Sequence, residues 1–194
     1  FALGPAGVWS RVVALSWGSW GVYAAAARGR ETGEGQFTTR EMLDVYRVLA
    51  HSDATRFYGL VGTPLSGSPS PAMHAAGYRA LGLDAVYVPV DTADADEVAA
   101  LVAADGLLPL AGFGVTIPLK ERLSALCRTH DAFAACGSVN TVRVGADGWE
   151  GFNTDAPAAM ALIRKRLDPK DLQAAIVGAG GTARAIGAAL EEAG

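Results

Sequence analysis

Five short stretches of this chain carry side chains able to do chemistry, and each follows an apolar run. Residues 112–120 read G-F-G-V-T-I-P-L-K, and Lys120 is one of three lysines in the chain. A cation just past a strand end is where open α/β sheets place their ligands. A lysine there can equally be a solvated surface group. Residues 66–71, S-G-S-P-S-P, offer three hydroxyls on a proline-stiffened loop. Such a loop suits a carboxylate or a polyol, and it is also an ordinary turn composition. Asn140-Thr141 and Asn153-Thr154-Asp155 are residue types that cap helices and turns, and Asp155 fits as an N-cap. Taken together with Lys120, they make a cation, a carboxylate, amides and hydroxyls around one cleft. That set can hold and protonate a polyhydroxylated ketone.

Residues 176–184, I-V-G-A-G-G-T-A-R, form the fifth stretch. An apolar strand, a G-x-G-G-x-A turn and an alanine-rich helix let the backbone approach a pyrophosphate at a helix N-terminus. Ala183 is small enough for close helix–strand packing. A plain tight turn has the same composition. The residue that would read the ribose lies about 20 positions on, so NAD and NADP are not separable here.

The elements that position these groups follow from pattern. Residues 57–61, 85–90, the core 115–117, 138–144 and 149–152 read as strands, with 85–90 alternating along its length. Pro118 should stop the third strand, because it has no amide to donate. Helices are expected over 72–81, 94–104, 121–128 and 156–166. Another, capped by Thr39, should bury Met42, Leu43, Tyr46 and Leu49 along one face. Residues 11–16 read as a short strand or a helix end. Strands alternating with helices argue an α/β fold with a mostly parallel sheet.

The chain has 194 residues, 51% of them hydrophobic and 19% charged, so it is globular rather than disordered. A net charge of −4 argues against nucleic acid or an anionic membrane as partner. No apolar run approaches the length of a membrane span. Cys127 and Cys136 form neither a disulfide framework nor a metal pattern, and they read as small buried residues of a reducing, cytoplasmic compartment. Both ends are abrupt, and we expect a piece of a longer protein.

Residues 57–194 resemble shikimate dehydrogenase. The resemblance rests on V-G-T-P-L-S-G-S-P-S-P-A-M-H, G-F-G-V-T-I-P-L-K-E, G-S-V-N-T-V, G-F-N-T-D and V-G-A-G-G-T-A-R, in the family's order. It implies reduction of 3-dehydroshikimate to shikimate with NADPH. By it, Lys120 and Asp155 are the catalytic pair and Ser68 and Ser70 hold the substrate carboxylate. Thr116, Asn140 and Thr154, with Asp155, hold ring hydroxyls. Gly178, Gly180 and Gly181, in one turn with Ala179, Thr182 and Ala183, cradle the cofactor. The family often has His where Gly67 stands and Asn where Gly114 stands. A quinate/shikimate dehydrogenase using NAD or NADP, or a non-catalytic shikimate-binding paralogue, shares the motifs.

Residues 1–50 resemble the C-terminal end of a type I 3-dehydroquinate dehydratase, through G-P-A-G-V-W-S-R, W-G-S-W and T-G-E-G-Q-F. That likeness implies that Arg11 binds a carboxylate and that Thr32, often Ser in that family, and Gln36 belong to a closing loop. The expected domains are a (β/α)8-barrel remnant at 1–52, a substrate domain at 53–155 and the first βα unit of a Rossmann domain at 156–194. The fragment alone is expected to be inactive.

Overall fold

A strand of a parallel sheet that is covered on both faces reads as one apolar run. Residues 85–90, A-V-Y-V-P-V, are all buried in the computed structural model. The expected alternation is therefore absent, because β2 (Ala85–Asp91) is covered on both sides. It pairs in parallel with β1 (Arg56–Gly62), with Phe57 opposite Val86 and Val61 opposite Val90. Within β1, Gly59 allows close packing: a Cβ there would stand 3.1 Å from Leu110 Cδ1 and 3.2 Å from the Val88 carbonyl.

The structure describes residues 4, 7–103, 106–129, 131–170 and 173–193. They divide into two compact units, residues 1–113 and 114–194. The division falls within β3 (Leu110–Val115), inside the segment 53–155 that sequence marks as one domain. In the first unit the strand order is β2-β1-β3, and in the second β3-β5-β6-β4. Parallel strands linked through helices make this an α/β fold with a mostly parallel sheet. Among the described residues no helix is long and apolar enough to cross a membrane.

In the first unit, helix α1 (Val8–Val13) is buried along its whole length, which settles the reading of residues 11–16 in favour of a helix end. A wide-turn helix follows at Glu41–Val45. Its cap is Thr38, not the expected Thr39. Thr38 Oγ1 accepts the Glu41 amide at 3.2 Å, and Glu41 Oε2 accepts the Thr38 amide and hydroxyl, each at 2.8 Å. This reciprocal arrangement needs a glutamate three residues after the cap, and only Thr38 has one. Thr39 Oγ1 instead donates to the Ala25 carbonyl. The wide turn, with the Tyr46 amide on the Glu41 carbonyl, changes the buried face: Met42, Tyr46 and Val48 are buried while Leu43 and Leu49 are exposed.

Helix α2 (Ser70–Ala80) starts two residues earlier than expected, with proline in its first turn. Helix α3 (Ala95–Val102) is capped by Asp94, which accepts the Asp96 and Glu97 amides. Ala104, the expected end of that helix, lies outside the described residues.

In the second unit, β3 ends at Val115 instead of continuing through Thr116 and Ile117. The Leu119 amide bonds back to the Thr116 carbonyl at 3.0 Å, so residues 116–119 form a turn. Helix α4 (Lys120–Ser124) is shorter than expected, because Arg128 and Thr129 become strand β4. Strands β5 (Thr141–Gly145) and β6 (Gly148–Phe152) form an antiparallel hairpin, and β4 pairs in parallel with β6. Helix α5 (Asp155–Arg164) packs on α6 (Gly181–Ala193) through Ala156, Met160, Ala185 and Ala189.

One expected element is missing. Residues 173–179 form no strand, and Val177 is 102% exposed. An extended segment becomes a strand only against a ladder partner, and among the described residues these have none. The helical half of the glycine-turn unit forms; its strand half does not. Cys127 and Cys136 are free and half-buried, and burial pushes the Cys127 thiol up to about 11.

The Thr38–Glu41 cap makes a testable pH dependence. Partial burial raises the Glu41 carboxyl, but the Thr38 amide and hydroxyl and the Arg28 guanidinium outweigh it, so it titrates below its ordinary value. A carboxylate depressed on folding stabilises fully above its unfolded pKa of about 4.3 and loses that contribution as pH falls through the folded value. Thr38→Val should cost about 1 kcal/mol at pH 7. The difference in melting temperature from wild type should shrink as the pH falls from 5 to 3.

Candidate active site

Asp155 opens α5, yet it does not cap that helix. Asn153 does: its Oδ1 accepts the Asp155 amide at 3.0 Å and the Ala156 amide at 3.2 Å. With the amides satisfied by Asn153, the Asp155 carboxylate is free to turn outward. One oxygen accepts from Lys120 Nζ at 2.5 Å, and the other accepts from Asn140 Nδ2 at 2.7 Å. The Asp155 side chain is 28% exposed and that of Lys120 14%. A charge-assisted pair so sheltered from water is stronger than its exposed equivalent.

Each partner arrives from a different element end. Lys120 is the first residue of α4, just past the turn that follows β3. Asn140 directly precedes β5. Its Nδ2 also donates to Thr154 Oγ1 at 2.8 Å, and its Oδ1 accepts the Thr154 amide at 2.9 Å. Thr141 Oγ1 donates to the same Oδ1. Thr116 lies half-buried in the turn ahead of Lys120. The second unit thus brings together Lys120, Asn140, Thr154 and Asp155. The other sequence-derived residues lie elsewhere or are differently engaged.

The glycine turn reaches the same place. Lys120 Nζ also donates to Thr182 Oγ1 at 3.1 Å. A Cβ on Gly181 would collide with Ser138 Oγ and stand 3.1 Å from Lys120 Cβ, so only glycine lets α6 start there. Ser138 is fully buried, and its hydroxyl has no partner among the described residues. Arg184, one turn along, pairs with Glu121 at 3.2 Å. Gly178 (φ 118°) and Gly180 are exposed, with open space where a Cβ would stand. Together with Ala179 they leave backbone free for a ligand just before the N-terminus of a thirteen-residue helix. A pyrophosphate fits such a place. Ala183 lies half-buried in the first turn of α6. Thr182, assigned from sequence to the cofactor, is engaged by Lys120.

Ser68 and Ser70 belong to the first unit. Ser68 Oγ accepts the Ser70 amide at 3.3 Å, so the serine loop is internally bonded at the start of α2. A cavity of about 720 Å3 adjoins it, lined in part by Arg28, Gln36, Tyr46, Ser66, Ser68 and Asp91. Its lining belongs wholly to the first unit, and Arg28 there is paired with Glu41. We assign the candidate site to the Lys120–Asp155 pair because a lysine ammonium can deliver a proton, whereas the Arg28 guanidinium stays charged.

Arg11, Thr32 and Gln36 also converge within the first unit. Arg11 is buried, its guanidinium lowered from its ordinary pKa by that burial, and Nη2 donates to the Glu34 carbonyl at 3.1 Å. Thr32 and Gln36 bond to each other through Thr32 N and Gln36 Oε1 at 2.9 Å. A Cβ on Gly33 would stand 3.8 Å from Gln36 Nε2 and 3.9 Å from Arg11 Nη2.

Sequence reasoning missed Asn153 as the cap and Ser138 as the seat of Gly181. The signal for Asn153 was present: an Asn two residues ahead of the helix start is a common capping arrangement.

Residues 60–142 match the family of shikimate dehydrogenase substrate binding domains. A protein of Anaeromyxobacter sp. (strain K) named shikimate dehydrogenase (NADP(+)) is 44% identical over 141 residues, covering 72% of this chain and 50% of that protein. The crystal structure of shikimate 5-dehydrogenase from Thermus thermophilus, in complex with NADP(H) and shikimate, is 36% identical with a TM-score of 0.59, covering 72% of this chain and 53% of that one. The ligand-free 5-ketofructose reductase of Gluconobacter sp. strain CHM43 is 31% identical with a TM-score of 0.62, covering 74% and 52%. The chain spans about half the length of the relatives it matches.

The glycine contacts make a stability prediction. Gly181→Ala should destabilise by about 1–3 kcal/mol, because the added methyl meets Ser138 and Lys120. Gly180→Ala meets open space and should stay within about 0.5 kcal/mol of wild type. Urea unfolding of both variants checks the contrast.

Proposed function

We propose that residues 57–194 are the substrate-binding region and first cofactor-binding unit of a shikimate dehydrogenase, an NADP-dependent oxidoreductase that reduces 3-dehydroshikimate to shikimate. The observation that carries this reading is the Asp155 carboxylate bridging Lys120 at 2.5 Å and Asn140 at 2.7 Å. The family match over residues 60–142 and the relatives named shikimate dehydrogenase support it.

In this reading, Lys120 as an ammonium donates to the ring ketone oxygen, stabilises the charge developing there and delivers a proton to it. Bound NADPH supplies the hydride taken up by the ring carbon. Asp155 orients Lys120 and, with Asn140, Thr154 and Thr116, holds the ring hydroxyls. Ser68 and Ser70 take the substrate carboxylate. The exposed backbone of 178–180 before α6 receives the cofactor pyrophosphate. The reading brings a cytoplasmic location with it, and it leaves the piece alone inactive.

For residues 1–50, a second reading rests on the convergence of Arg11, Thr32 and Gln36 around Gly33. We propose that they derive from the end of a type I 3-dehydroquinate dehydratase fused ahead of the dehydrogenase. Assaying the full-length parent with 3-dehydroquinate tests this; absence of dehydration would remove it.

In the full-length parent, Lys120→Ala should cut turnover by about 10²–10⁴-fold, with a smaller change in substrate binding. A fall of less than about tenfold would refute the acid–base role. Activity with quinate, or a preference for NAD, would move the assignment to a quinate/shikimate dehydrogenase. Shikimate binding in a calorimeter with no cofactor-dependent absorbance change would point to a binding paralogue.

A further inference from the structure

The Lys120–Asp155 pair explains only how charge is brought together, not why Asp155 faces Lys120. The answer lies behind the site. Asn153 is 2% exposed, and its side chain bonds to backbone groups on both sides. Its Oδ1 accepts the Asp155 and Ala156 amides, and its Nδ2 donates to the Ser138 carbonyl at 2.9 Å. Its own amide donates to Asp131 Oδ2 at 2.9 Å, and Asp131 Oδ1 accepts the Ala134 amide at 2.6 Å.

These bonds run to both sides of the pair. The cap fixes the first turn of α5, and so the direction in which Asp155 leaves the backbone. The Ser138 bond fixes residues 138–140. There the Val139 amide donates to the Lys120 carbonyl at 3.1 Å, and Asn140 reaches Asp155. One buried amide side chain is therefore bonded directly to the backbone of Asp155 and, through Ser138, to the short segment whose next two residues hold the Lys120 carbonyl and carry Asn140. Asp131 anchors it from behind.

We propose that Asn153, anchored by Asp131, is a positioning residue that sets Asp155 against Lys120 and Asn140. The proposal rests on the dehydrogenase reading above for its kinetic test. A displacement of about 1 Å in a catalytic group costs about 10²-fold in rate. A purely structural Asn153 would lower stability without acting through Asp155, and a double-mutant cycle separates the two.

In the full-length parent, Asn153→Ala should lower kcat/KM for 3-dehydroshikimate by about 10²-fold. Asn153→Ser restores an acceptor for the helix amides and should recover most of that loss. In an Asp155→Ala background, Asn153→Ala should change the residual rate by less than about twofold, because its effect passes through Asp155. Equal losses in the two backgrounds, or no loss in the wild-type background, would overturn the proposal. If Asn153→Ala does not fold, Asn153→Gly replaces it, since glycine is tolerated at an N-cap.

The 13Cγ resonance of Asp155, recorded on the same full-length proteins, needs no activity. It should move in the alanine or glycine variant and return in the serine variant. An unmoved resonance overturns the proposal. A wild-type parent that fails to reduce 3-dehydroshikimate would sink the dehydrogenase reading, and the resonance would then decide the positioning role by itself.

Discussion

Three residues, 138–140, bond outward in four directions, and the second unit depends on them. The Ser138 carbonyl takes the Asn153 amide group, and the Val139 amide goes to the Lys120 carbonyl. The Asn140 amide goes to the Phe152 carbonyl, and its own carbonyl takes the Val115 amide. The end of β3, the start of α4, the end of β6 and the approach to α5 are thereby held to one short peptide. A buried amide left unpaired costs about 1–3 kcal/mol, so each bond resists displacement. The side chains of chemical interest stand on the ends this peptide ties down.

The same economy governs capping. The end of a helix leaves amides that need acceptors, and the residue that supplies one is not free for other work. Asn153 takes that duty at α5, and Asp155 is released to face Lys120. At the wide-turn helix the duty falls on Thr38, and Glu41 is drawn in behind it. In both places, the neighbouring residue with an equally suitable side chain is left to do something else.

Much of this was legible in the residues themselves. Lys120, Asn140, Thr154 and Asp155 stand out in the sequence as polar residues at the ends of apolar runs, although 35 positions separate Lys120 from Asp155. The parallel α/β arrangement followed from alternating element types. What escaped reading was decided by tertiary contact. The end of β3 at Val115 depends on a turn closed between Thr116 and Leu119, which propensity alone does not fix. Thr38 and Thr39 differ only in whether a glutamate lies three residues on. The β-branched pair Ile176-Val177 has strand composition, but composition does not provide a ladder partner. The uniform burial of β2 depends on cover from both faces, which no single strand reveals.

The closeness of Lys120 and Asp155 also has a consequence for ionic atmosphere. A cation and an anion 2.5 Å apart look nearly neutral from a distance greater than their separation. Mobile ions screen fields that extend over about 8–10 Å, and this pair projects little field so far. The core of the site should therefore be almost indifferent to salt. Any ionic-strength dependence of ligand capture has to originate in the groups that meet the ligand's own charges, away from the pair.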